Sequence, residues 1–169
     1  MTREELAAHL VARVRSAIGR ATRYSLGKGG KDPASAHPAD AEGRCDCSGL
    51  VDWVLGLEAR RYPDGRWAYT DSLEADARKA GEKGGILEPL ATPEPGCVVV
   101  YGAGPRVGHC GIVTELQATP PHWDSARPVF KVVHCSLSSY RRHGDAIRET
   151  WGDVFVAHGA RFGRYVPPA

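Results

Sequence analysis

The sequence predicts an α+β domain in which N-terminal helices pack on a central antiparallel β-sheet. Three observations lead there. Apolar residues recur at helical spacing in the first half of the chain, the text beyond residue 95 breaks into short β-branched segments, and no repeat or low-complexity tract divides the two regions. Helices first and strands afterwards indicate an α+β arrangement rather than alternating βα units. With 169 residues the chain reads as a single domain, 1–169, long enough to bury a core.

Leu6, Leu10, Val11, Val14 and Ile18 share one helical face, and Thr2 followed by Glu5 fits a capping box, so a first helix is expected over 3–18 and a stop at Gly19. "SLGKGGKDPASAHPADAEGR", residues 25–44, carries glycine and proline without a hydrophobic period and reads as an irregular loop. Leu50, Val51, Val54 and Leu55 then place a second helix from Cys47 to between Gly56 and Ala59. A third, "SLEADARKA", is capped by Thr70 or Asp71 and closes on Gly81. "GCVVVY" (96–101), "GHCGIVTEL" (108–116), "VFKVVHCS" (129–136) and "DVFVAHG" (153–159) read as strands.

A formal charge of +2 with scattered basic residues argues against a nucleic-acid surface. No apolar run approaches the ~20 residues of a membrane span, and "MTREELAAHLVARVRSAIGR" lacks the uninterrupted apolar core of an export signal. The expectation is therefore a soluble protein with no membrane or nucleic-acid partner, cytoplasmic by default, or else phage-borne or delivered by a non-classical secretion route. Five cysteines, at 45, 47, 97, 110 and 135, are an odd set and read as reduced, with at least one free thiol.

Cys47 is the most informative of them. A thiol at a helix start ionises more readily than its unperturbed pKa of about 8.5 allows, and the first-turn amides lie close to any oxyanion formed beside it. Of seven histidines, His9, His37, His122 and His143 lie in polar helix or loop text and read as surface residues, whereas His109, His134 and His158 fall in strand-like segments. A strand holds an imidazole firmly, as a general base requires. The tryptophans, 53, 67, 123 and 151, read as packing residues, although "YPDGRWAYTDS" could line a cleft. Arg141 and Arg142 read as solvent-facing, with a substrate carboxylate as a conceivable partner.

Asp46-Cys47-Ser48-Gly49, continued by Leu50 and Val51, resembles the helix start of the NlpC papain-like cysteine peptidases of bacterial cell-wall metabolism. "GCVVVYGAGPRVGHCGIV" resembles the family's next two strands, with His109 in the base position and Cys97 where the family has aspartate, and "VVHCS" puts His134 in the third catalytic position. The resemblance covers residues 24–136 and implies a papain-like fold. It also implies a Cys47-His109-His134 triad that needs no cofactor and hydrolyses peptidoglycan stem peptides at the bond between D-γ-glutamate and a diamino acid. Tyr24 stands where a family tyrosine can reach the site, and Asp46 and Ser48 are candidates for substrate recognition; a plain N-cap is the alternative for either.

Three other readings stay open. An amidase or acyltransferase would use the same residues on another substrate. Cys45, Cys47 and the two histidines could instead hold zinc; with both histidines turned toward the helix, Cys110 and Cys135 would face away from it. A catalytically silent binding module is the third.

Overall fold

The computed structural model describes residues 1–79, 85–104, 107–117 and 129–168. Gly81, His122 and Trp123 lie outside the described residues. The chain is α+β, as expected, with helices leading and an antiparallel sheet of six strands behind them.

Helix α1 spans Arg3–Ser16; Thr2 caps it, its hydroxyl accepting from the Glu5 amide at 3.1 Å while the Glu5 carboxylate accepts from the Thr2 amide at 2.7 Å. Both halves of the capping box therefore form. The following loop is closed by a short parallel ladder between β1, Arg23–Tyr24, and β2, Arg44–Cys45, which no hydrophobic pattern announced. Helix α2 is Cys47–Leu55, capped by Asp46 and ended by Gly56 in the left-handed region at φ 75°. All nine of its residues are buried, so it runs through the interior with core on every side.

Helix α3 is Thr70–Arg78, two residues earlier than "SLEADARKA" suggested. The Ser72 hydroxyl accepts from the Tyr69 amide at 2.9 Å, which moves the cap to Tyr69 and makes Thr70 and Asp71 helical rather than capping residues.

The main sheet has the order β3-β8-β4-β5-β6-β7, antiparallel throughout. β4 (Val98–Tyr101), β5 (His109–Leu116) and β6 (Phe130–Cys135) are three of the expected strands. β3 (Leu87–Leu90), β7 (Ile147–Trp151) and β8 (Arg161–Tyr165) were not anticipated, nor was helix α4 (Leu137–His143). The fourth expected strand, "DVFVAHG", is instead helix α5, Asp153–Ala157. Its apolar residues alternate over too short a stretch to separate periods of 2 and 3.6, and the helical choice lets Phe155 reach the sheet.

The sheet is buried on both faces. Val98, Val100, Cys110, Ile112, Val133 and Cys135 pack with α1, α2 and α3, while Val99, Val113, Phe130 and Val132 pack with Phe155 on the other side. Alternation along each strand produces this division. It puts the two sides of the candidate site on opposite faces of one sheet.

Candidate active site

Asp46 fixes the start of α2. Its Oδ1 accepts from the Gly49 amide at 2.7 Å and its Oδ2 from the Gly27 amide at 2.6 Å, so one carboxylate ties the loop to the helix. That leaves the Cys47 and Ser48 amides as first-turn donors with no intrahelical acceptor. Arg60, only 2 % exposed, pairs with Asp46 at 3.0 Å and with Asp52 at 3.1 Å, and it also donates to the Ser48 hydroxyl. Asp46 and Ser48, candidates for substrate recognition, thus spend their side chains inside the protein. Burial pushes the Asp52 carboxyl well above the ordinary range, against the pull of Arg60.

The Cys47 thiol is buried, with 4 % of the residue exposed. Its pKa lies well below the ordinary thiol value because the Cys110 thiol donates a hydrogen bond to it, outweighing desolvation, with a hydrogen bond and positive charge from His109 adding to the effect. Cys110 moves the opposite way, raised by burial and by the neighbouring Cys47 sulfur.

This geometry corrects the orientation expected for the strand residues. Cys110 and Cys135 are the ones facing α2, the latter donating to the Cys45 carbonyl at 3.4 Å. His109 and His134 lie on the α5 face, where Phe155 stacks on His109 at 5.2 Å and meets His134 edge-on at 5.7 Å. His109 still acts on the Cys47 thiol, because it is the first residue of β5 and sits at the rim of the sheet.

The imidazoles are joined. His109 Nε2 lies 2.7 Å from His134 Nδ1, and His134 Nε2 lies 2.8 Å from Thr150 Oγ1. The Thr150 hydroxyl donates its one proton to the Trp151 carbonyl at 3.2 Å, so toward His134 it accepts. His134 is then protonated on Nε2, its Nδ1 accepts from His109 Nε2–H, and His109 Nδ1 is left with a lone pair for the thiol proton. Burial, then the charge of His109, pushes His134 down to about 3, which keeps it neutral and able to accept. Thr150 escaped sequence reasoning because only the β6–β7 register sets it beside His134.

No family model matches the chain, and no curated protein matches it.

The remaining sequence candidates separate clearly. Tyr24 lies beside the site, its phenol raised by burial and then by Cys47, and it lines a cleft of about 640 Å³ together with His109 and His134. His158, expected on a strand, caps the C-terminus of α5 and stacks on Tyr101 at 4.5 Å. His37, expected at the surface, is half-buried and hydrogen-bonded to the Ala17 carbonyl at 3.0 Å. Trp53 does pack, its indole N–H donating to the Ser35 carbonyl at 2.9 Å, but Trp151 is 42 % exposed on the cleft wall. Residues 62–72 do not reach that cleft. Cys97, buried in a turn with the Glu94 amide 3.5 Å from its sulfur, is raised to about 12 by desolvation. Among the described residues no group of three or more His, Cys, Asp or Glu side chains is placed to hold a metal ion, and no helix is long and apolar enough to cross a membrane.

Proposed function

We propose that the protein is a cysteine hydrolase of amide bonds, acting on peptidoglycan stem peptides at the bond between D-γ-glutamate and a diamino acid. The observation that supports the reading best is the ordered chain from the Cys47 thiol through His109 and His134 to Thr150, with the thiol driven toward thiolate. An amide carbonyl is a poor electrophile, and a thiolate with an adjacent imidazolium is suited to attack it.

Cys47 Sγ attacks the carbonyl carbon after its proton has passed to His109 Nδ1. The oxyanion meets the amides of Cys47 and Ser48 at the helix start, which stabilise developing charge. His109 returns the proton to the leaving nitrogen, the C–N bond breaks, and a thioester remains on Cys47. Water, deprotonated by His109, then releases the carboxylate product and restores the thiol. His134 holds the His109 ring in the required tautomer throughout.

Muropeptides incubated with wild type and with Cys47→Ala test the proposal by mass spectrometry. New amine and carboxyl ends from wild type alone are expected; equal products from both proteins would remove Cys47 as nucleophile.

A further inference from the structure

His109 delivers the proton to the departing nitrogen, so the leaving part of the substrate lies on the imidazole side of the sulfur. The 640 Å³ cleft opens there: His109 and His134 line it and Cys47 does not. Its size is that of a small-molecule site.

Two properties of the walls are unusual for this molecule. Ten large apolar residues are exposed among the described residues, and five of them, Leu26, Val107, Leu137, Trp151 and Val154, gather in this one cleft. Scattered apolar exposure needs no explanation, but a concave gathering marks a binding surface. The second property is charge. Arg148 stands directly opposite His134 in the β6–β7 register, on the same face as Thr150, and Arg142 reaches the cleft from the last turn of α4. Arg148 is half-buried, yet neither it nor Arg142 has an acidic partner among the described residues, whereas Arg44, Arg60 and Arg164 are all paired. Among the described residues the one carboxylate lining the cleft is Asp153, exposed in the first turn of α5.

A half-buried guanidinium without a counter-ion is a planar donor fork awaiting a planar anion. We infer that the cleft is a leaving-group site for a carboxylate-ended aliphatic amine, its methylene stretch on the apolar walls and its free C-terminal carboxylate on Arg148, assisted by Arg142. The inference rests on the hydrolase reading and narrows it: the bond cut lies one or two residues from a free C-terminus, so unlinked fragments are the substrates. A diamino acid followed by a terminal D-alanine has this chemistry.

Calorimetric titration of the Cys47→Ala protein with norleucyl-D-alanine and with its C-terminal amide tests it. The free acid should bind about tenfold more tightly than the amide, the discrimination of one charged hydrogen-bonded pair. Arg148→Gln should bring the two within about twofold, Arg148→Lys should keep part of the preference, and the exposed Arg142→Gln should reduce it without affecting the fold. Thermal melts of each variant confirm that folded protein is compared. Equal binding of acid and amide, or a preference unchanged in folded Arg148→Gln, would overturn the inference. A carboxylate preference in a protein without Cys47-dependent cleavage upholds the anion site and rejects the hydrolase reading; cleavage without the preference does the reverse.

Discussion

Cys47 and Cys110 share one hydrogen bond and are driven to opposite ends of the thiol range. The donor in that bond is the largest cause of the Cys47 shift, so Cys110→Ala should move the alkylation profile of Cys47 to higher pH while leaving His109 in place. An unchanged profile would mean that the imidazole alone activates the sulfur. On the proposed mechanism the acid limb of activity belongs to Cys47: as pH falls the thiolate is protonated and the rate should drop, and because its pKa is depressed the limb should lie well below that of an ordinary thiol. His134, near 3, contributes no limb around neutrality. Thr150→Val removes the acceptor that fixes the His134 tautomer and should lower kcat by about tenfold with little change in KM, the worth of roughly one hydrogen bond, while Thr150→Ser restores it. At this scale Cys47, His109 and His134 could be singled out because each sits in a distinctive local text. Thr150, Arg148 and Arg60 were not, because their partners are brought to them by strand register or by a buried loop.

Helix α2 is held at its start by contacts that its own residues only half supply. Arg60 reaches Asp46 and Asp52 from a turn in which both Ala59 and Arg60 adopt positive φ, 50° and 59°, a conformation the sequence does not advertise. Arg60→Met would leave two carboxylates buried without their counter-ion and should cost about 3–5 kcal/mol in urea unfolding. The loop against the helix is equally close. A Cβ at Gly30, where φ is +69°, would lie 2.1 Å from the Gly49 carbonyl oxygen, and one at Gly49 would lie 2.9 Å from the Lys28 oxygen. The glycine of the Asp-Cys-Ser-Gly start is therefore required by packing. Elements with a long period or a cap, such as α1, were readable. The short ones were not: β7, "IRETW", carries charge on a sheet edge, and α5 offers five residues to a pattern that needs a dozen.

The α+β class was visible from the order of textures along the chain, but the strand order was not. β8 closes between β3 and β4 across about 60 residues, and nothing local in "RFGRY" records that pairing. The sheet's second face depends on Phe155, fully buried beneath both imidazoles. Phe155→Ala should lose about 3–5 kcal/mol of stability in denaturant melts and should also reduce turnover at temperatures where the variant remains folded. The interior position of β8 carries a consequence for synthesis. A ribosome that stalls before Arg161 releases a polypeptide with β3 unmated and one side of β4 bare, an open template for foreign strands. Cells making such a prematurely terminated product should accumulate it as insoluble aggregate, leaving only complete translation to deliver the closed sheet.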